Sequence, residues 1–244
     1  MRANYKLQRL FLDQPLATGG RVTLSREQAH YLLTVLRQPD GARVLVFNGK
    51  DGEFSATLRP EGRKAASLEI NEQTRPQDPP SRLDFLFAPL KTGRLEYLVQ
   101  KATEMGARTI RPVMTDHTQM SRLKDERLAA NIIEAAEQCG NLAIPELVEP
   151  ARLDQLLDGW DPARRLIFCD ESAAGNNPAK ILSAIEERDL ALLIGPEGGF
   201  SERERAMLHA LPYVTAIPLG PRILRADTAA VAAMAAVQML AGDW

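Results

Sequence analysis

Over the first 75 positions apolar and polar residues alternate in short runs, at 8–11, 21–24, 43–47, 53–58 and 65–71. Each run predicts a strand with one buried face. Asn48-Gly49 and Asp51-Gly52 supply hairpin turn chemistry, and Glu61-Gly62 separates the last two runs, so neighbouring strands are expected to be antiparallel. Five such strands close most naturally into a small barrel. One helix interrupts them. Ser25 with Gln28 three residues later carries the capping-box pattern, and Ala29, Leu32, Leu33 and Leu36 follow on one face, which leaves His30 and Arg37 off the apolar stripe.

Between 73 and 82 the chain is polar and holds Pro76, Pro79 and Pro80, a segment that resists helix and central strand alike. A boundary at about residue 75 therefore divides the chain into 1–75 and 76–244. Beyond it the rhythm changes. Continuous apolar runs at 83–90, 109–114, 165–170, 190–194 and 215–219 predict strands buried on both faces. Segments 95–105, 123–139, 179–188, 202–211 and 228–240 predict helices between them, with Ser201 and Glu204 as a second capping box. The alternation gives an α/β domain with a mostly parallel sheet covered on both faces, whose ligand loops lie at the carboxyl ends of strands.

Composition narrows the class without changing the architecture. With 45% hydrophobic and 25% charged residues in 244, the chain is globular rather than disordered or collagen-like. No stretch approaches ~18 uninterrupted apolar residues and the first ten positions lack a secretory apolar segment, so a cytoplasmic chain without a membrane span is expected. Two cysteines, Cys139 and Cys169, make no disulfide framework, and His30, His117 and His209 lie too far apart in sequence to mark a metal site. The net charge of −2 conceals an asymmetry: residues 1–75 hold 12 basic against 8 acidic side chains, and residues 76–244 hold 18 against 24. A +4 lobe beside a −6 lobe fits a polyanion footprint on the first, with Arg9, Arg21 and Arg37 as phosphate candidates, and fits an ordinary solvated surface equally.

Two strand ends concentrate chemistry. Leu193-Ile194-Gly195-Pro196-Glu197-Gly198-Gly199-Phe200 runs from a strand through a glycine-rich turn to a capped helix. It is neither the dinucleotide fingerprint nor a Walker A loop, and by itself it is either a tight turn or a place where backbone approaches a ligand. Pro218-Leu219-Gly220-Pro221-Arg222-Ile223-Leu224-Arg225-Ala226-Asp227-Thr228 carries two arginines into an Ala-rich helix, which fits solvated surface or an anion grip equally.

Taken together, the two loops resemble the bacterial 16S ribosomal RNA uridine N3-methyltransferases, of the SPOUT class. The likeness extends to Gln100-Lys101-Ala102-Thr103-Glu104-Met105-Gly106, to Glu137-Gln138-Cys139-Gly140 with Ile144-Pro145, and to His30 with Val35-Leu36-Arg37, so five ordered blocks span essentially the whole chain. It implies a PUA-like β-barrel for RNA over 1–75 and, over 76–244, a parallel-sheet domain threaded into a trefoil knot that binds S-adenosylmethionine. It also implies a homodimer with cofactor pockets near the subunit interface, and 16S ribosomal RNA within the small ribosomal subunit as partner. In one place the chain departs from the family: Asn141 stands where a basic residue is usual after Glu-Gln-Cys-Gly.

On that likeness Ile194, Gly195, Gly199, Leu219, Gly220, Ile223, Leu224 and Thr228 are expected to hold the cofactor. The reaction is displacement at a sulfonium methyl by uracil N3, so the protein must align donor and acceptor, help N3 lose its proton, and stabilise charge on O2 and O4. Arg225 is the candidate for that charge. Glu197 is the candidate base, although a loop-fixing role serves it as well, and His117 has an intrinsic pKa near ~6.5 but the pattern of a surface residue. Cys139 reads as a packed helix residue, since no covalent enzyme intermediate is needed. A non-catalytic RNA-binding assembly factor, a related methyltransferase with another RNA target, and a nucleotide-handling α/β enzyme of another kind are the alternatives.

Overall fold

The computed structural model describes residues 6–62, 64–118, 125–173 and 177–244. The backbone forms two units: Met1–Pro79 together with Ala136–Ala143, and Pro80–Ala135 together with Ile144–Trp244. The division at 79/80 falls within the proline-bearing segment 73–82. The return of 136–143 to the first unit carries no signal in composition.

In the first unit, strands β1 (Arg9–Phe11), β2 (Arg21–Thr23), β3 (Arg43–Phe47), β4 (Glu53–Pro60) and β5 (Ala66–Arg75) form one sheet in the order β1-β3-β4-β5-β2. The β3–β4 and β4–β5 pairs are antiparallel, as the turn residues require, and the β2–β5 pair is antiparallel too. The β1–β3 pair is parallel, because the chain visits β2 and a helix before returning. Among the described residues β1 and β2 do not pair with each other, so the closure is that of a half-barrel. Val44, Val46, Ala56, Leu58 and Leu68 fill it.

The capping box at Ser25 and Gln28 forms as expected and starts α1 (Arg26–His30). The helix then widens to a π turn over Tyr31–Val35. The extra residue rotates the stripe, leaving Ala29 and Leu32 fully buried but Leu33 and Leu36 half-buried. Arg37 follows with φ 52, a left-handed conformation that costs a non-glycine residue about 1–2 kcal/mol.

Arg9 is not a surface cation. Its side chain is 3% exposed, and Nε and Nη2 both donate to Glu53 Oε2 at 2.8 Å. Thr74 Oγ1 donates to the other oxygen of Glu53 at 2.8 Å. A buried guanidinium with a carboxylate partner cannot reach a phosphate, so Arg9 is removed from the RNA candidates; losing it would strand a buried charge, at roughly 3–5 kcal/mol. The returning segment closes over this pair. Glu137 Oε1 accepts the Phe11 N–H at 2.8 Å, the Gly140 carbonyl accepts Arg75 Nη1 at 3.0 Å, and a Cβ on Gly140 would stand 2.7 Å from Arg9 Nη1. The Glu-Gln-Cys-Gly block thus packs the small unit. Asn141 caps its own turn by accepting the Ala143 N–H.

The second unit contains β6 (Leu83–Phe87), α2 (Thr92–Glu104), β7 (Thr109–Met114), α3 (Asp125–Cys139), β8 (Glu146–Leu147), β9 (Ala151–Arg152) and α4 (Leu153–Asp158). It continues with β10 (Arg165–Cys169), α5 (Pro178–Leu182), β11 (Leu190–Ile194), α6 (Glu202–His209), β12 (Val214–Ile217) and α7 (Ala226–Leu240). The last residues of α3 count with the first unit, and positions 123 and 124 of the expected helix lie outside the described residues. All pairings are parallel, in the order β12-β10-β11-β6-β7-β8 with β9 also on β7. Alternate side chains of the buried strands feed two cores: Phe85, Phe87 and Leu192 meet α2 and α7, whereas Leu86, Phe168 and Leu193 meet α4 and α6. The expected helix at 179–188 stops at Leu182, and Glu187 turns to pair with Arg165. β8, β9 and α4 are too short to announce themselves by periodicity.

Strand β12 is an edge, yet α7 packs on α2, which follows β6 on the far side of β10 and β11. The segment 218–225 therefore crosses the carboxyl ends of β10 and β11.

Candidate functional site

That crossing encloses a cavity of about 570 Å³ in the second unit. One wall is the glycine turn, with Ile194, Gly195, Glu197 and Gly199. The other is the crossing segment, with Leu219, Gly220, Ile223, Leu224 and Arg225. Sequence reasoning placed these two loops side by side only through a resemblance; parallel pairing of β10 with β11 and β12 does so physically. The volume suits a ligand of cofactor size.

Thr228 is the exception among the expected cofactor residues. It is exposed, and the cavity is met instead by Ala226 and Ala229. At 100° per residue, position 228 points about 200° from position 226, off the face that α7 buries. Gly195 also differs in its reason: the space a Cβ would take there is filled by the Phe200 ring, 3.0 Å away. Gly199 at φ +68 and Gly220 at φ +103 hold backbone shapes that favour glycine. From 218 to 224 the main chain makes no backbone hydrogen bond among the described residues, so its N–H and C=O groups are available to a ligand.

Three wall residues were not anticipated. Arg94, in the first turn of α2, lies 3.5 Å from Glu197 and 3.8 Å from Asp227, linking the glycine turn to the start of α7. Nothing in sequence separates such an arginine from one on a solvated helix face. Asp170 and Glu171 follow β10, and the rule that ligands gather at carboxyl ends of strands would have found them. Asp170 is 1% exposed and is held by Arg205 at 3.1 Å and His209 at 2.9 Å, while Glu171 pairs with Arg205. Arg225 is exposed, and its side chain has no hydrogen-bond or ion-pair partner among the described residues. Cys169 closes the base of the wall, its thiol pushed up to about 12 by burial, which removes it as a nucleophile at neutral pH.

His117 proves to be part of the site's frame rather than free surface. Its Nδ1 lies 3.1 Å from the carbonyls of both Gly198 and Gly199; because both are acceptors, Nδ1 carries the proton. Beside it, Asp116 accepts from Ser201 Oγ at 2.6 Å and Arg203 at 2.8 Å, and these partners, the serine first, hold its carboxyl below the usual range. The buried Glu204 accepts the N–H groups of both Ser201 and Asp116. Residues 116 and 117 thus clamp the glycine turn to the start of α6. The lowered Asp116 value means that its part of the clamp is present at neutral pH and lost only as pH falls through that value.

In the small unit, Arg21 is exposed but pairs with Glu61 at 2.9 Å and Ser67 at 3.0 Å. Arg37 is exposed on its left-handed turn. Among the described residues no cluster of His, Cys, Asp and Glu is arranged to hold a metal ion, and no helix is long and apolar enough to cross a membrane.

A family model described as an RNA methyltransferase domain matches residues 77–238, and one described as an RNA methyltransferase PUA domain matches residues 24–71. The ribosomal RNA small subunit methyltransferase E of Rickettsia conorii is 32% identical over 236 residues, covering 96% of each chain. The chain belongs to the ribosomal RNA small subunit methyltransferase E family. The Bacillus subtilis member is 26% identical over 256 residues, covering 97% of this chain and 100% of its own. Among solved structures, a family member from Neisseria gonorrhoeae bound to S-adenosylmethionine superposes with a TM-score of 0.85 at 28% identity, covering 98% of this chain and 99% of that one. A methyltransferase from Legionella pneumophila, also with bound S-adenosylmethionine, gives 0.84 at 30% identity with the same coverage.

Proposed function

We propose that this member of the family transfers a methyl group from S-adenosylmethionine to N3 of a uridine in 16S ribosomal RNA of the small subunit, in the cytoplasm. The observation that carries the reading is the cavity between the glycine turn and the crossing segment, with an arginine in its wall, Arg225, that has no partner among the described residues. The cofactor fits what is there: apolar contacts from Leu219, Ile223 and Leu224, available backbone groups over 218–224, and a volume of about 570 Å³.

When bound, the cofactor supplies an activated sulfonium methyl. Everything else falls to the chain. The two loops fix the direction of approach, which converts an encounter into a nearly intramolecular step. Arg225 neutralises charge growing on uracil O2 and O4, and Glu197 accepts the N3 proton. Arg94 holds Glu197 and Asp227 in place. The His117 clamp keeps the glycine turn in register, so His117→Ala is expected to weaken cofactor affinity roughly 3- to 10-fold, the worth of one hydrogen bond, at unchanged saturating rate. His117→Asn, which keeps an N–H donor, recovers part of it. Calorimetry on the two variants checks this; equal affinity in His117→Ala and wild type would dismiss the clamp.

RNA is gripped by the half-barrel through Arg37 and Arg21. With Arg9 withdrawn, Arg21→Glu with Arg37→Glu is expected to weaken small-subunit binding and flatten its salt dependence, leaving cofactor affinity unchanged. Filter binding at several salt concentrations decides it, and wild-type affinity and slope would take the half-barrel out of the interface. The family's trefoil threading fits the return of 218–225 from edge strand to α7, and a crystal structure traced through this region tests it. A homodimer fits Ile223, 91% exposed at the cavity, and sedimentation equilibrium tests it.

The test of the function is incubation with labelled cofactor and unmodified small subunits, followed by mass spectrometry of nucleosides. 3-Methyluridine is expected. A ribose-methylated product overturns the N3 assignment, and no transfer despite cofactor binding leaves an RNA-binding assembly factor.

A further inference from the structure

A second cavity, of about 320 Å³, lies in the large unit beside the middle of β7 and the amino end of β10. Strand β7 changes partners there: it pairs with β8 at Thr109 and Ile110 and with β9 at Val113 and Met114, which leaves Arg111 between two ladders. Arg111, Gln155, Trp160, Asp161 and Arg164 line the opening. The catalytic cavity is built from carboxyl ends of strands, so this opening is separate from it.

We infer that this cavity takes one nucleotide of the substrate RNA, with its phosphate on Arg111 and Arg164 and its base on Trp160. The inference rests on the reading that the substrate is RNA. Two guanidiniums face one carboxylate, and that carboxylate, Asp161, already accepts the Ala163 N–H at 3.0 Å. The Arg111 side chain has no hydrogen-bond or ion-pair partner among the described residues. Arg164 gives Nη1 to Asp84, yet its side chain is 34% exposed at the opening, so the guanidinium still has N–H groups to offer an anionic oxygen. Asp84 does not neutralise both arginines, because it also binds Arg108 through two oxygens at 2.9 Å.

Trp160 supplies the second half of the recognition. Its indole N–H donates to the Arg164 carbonyl at 2.9 Å, and its ring stacks on Tyr213 with centroids 6.1 Å apart at 15°. The polar end of the indole is therefore engaged and the ring is held rigidly. What remains for a ligand is aromatic surface, and every nucleobase has a face to stack on it. The Gln155 amide adds a donor and an acceptor for a base edge. The volume is near the lower end of the range for ligand sites, which admits one nucleotide and not a helix. A guanidinium pair beside an aromatic ring selects a phosphorylated base over a simple carboxylate.

The test uses the full-length protein with wild type, Arg111→Gln and Gln155→Ala, and leaves Trp160 intact because it carries packing. A small-subunit RNA fragment containing 5-bromouridine is crosslinked, and the attached peptide is identified by mass spectrometry. A crosslink at Trp160, lost in Arg111→Gln, is expected. The same variant should bind RNA more weakly with a salt slope lower by about 0.7–0.9, the share of one phosphate contact. Cofactor affinity should not change. Wild-type RNA affinity, slope and crosslinking in Arg111→Gln, in a protein that does methylate RNA, would overturn the inference. So would displacement by free uridine monophosphate with no crosslink from the RNA, which would make this a metabolite site. If wild type transfers no methyl group yet the Arg111-dependent crosslink persists, the nucleotide cavity stands and the methyltransferase reading falls.

Discussion

Arg225→Ala is expected to slow single-turnover methylation ~10²- to 10³-fold at saturating cofactor and RNA, the usual cost of losing one preorganised donor at a developing oxyanion. Arg225→Lys should fail nearly as badly, because a point ammonium cannot bridge a uracil oxygen and a neighbouring phosphate as a planar fork does. The competing role for this arginine is a brace against Asp227 or Glu197. The geometry gives that role to another residue: Arg94 lies between those two carboxylates, at 3.8 and 3.5 Å, and Arg225 pairs with neither. Arg225 immediately precedes α7, with extended backbone at φ −65 and ψ 152, so its main chain is set by the helix while its side chain has no partner among the described residues. Arg94→Ala is the control and should change cofactor affinity more than the saturated rate. A near-normal saturated rate in Arg225→Ala would end its catalytic role and turn the search to Arg94, Arg222 and a second subunit.

Gly199→Val and Gly220→Val are both expected to abolish measurable cofactor binding while most of the fold survives, but for different reasons. At Gly199 a side chain would need φ +68 and would bring a Cβ within 3.2 Å of Glu171 Oε1, in a wall already tied to Arg205. At Gly220 there is nothing within 4 Å of the added Cβ, so the whole effect comes from the backbone at φ +103, which valine does not adopt. Asparagine separates the two. It tolerates the left-handed region near +60°, so Gly199→Asn should keep part of the affinity where Gly220→Asn does not. Calorimetry on variants shown to be folded by circular dichroism reads this out, and unchanged affinity in both valine variants would mean that the cofactor lies elsewhere.

Much of the architecture was legible because it rests on local rules. Strands at 43–47, 109–114 and 190–194 coincide with the expected ones, since a run of β-branched and aliphatic residues between turn signals has few other uses. Both capping boxes form as read, because a serine and a glutamine or glutamate three residues apart satisfy each other's backbone groups without tertiary help. The glycine turn and the arginine-bearing loop were recognisable as strand ends for the same reason.

What the sequence missed depends on partners distant in sequence. Arg9 has the composition of a phosphate ligand and the surroundings of a core residue, since Glu53 and the returning residues 137–140 bury it. Thr228 belongs to the right loop but falls on the wrong side of α7, which only the packing of Ala226 and Ala229 determines. His117 reads as surface until Gly198 and Gly199 are placed 3.1 Å from its ring, and Arg94 reads as solvated until α2 stands beside the two loops. By itself the sequence determined which segments become strands, helices and glycine turns, because those choices follow from torsional preference and from periodicity within a few residues. Only the tertiary structure decided which charges are buried and which loops share a cavity. Coulombic pairing and desolvation act between groups brought together by chain reversal, and no local pattern encodes that.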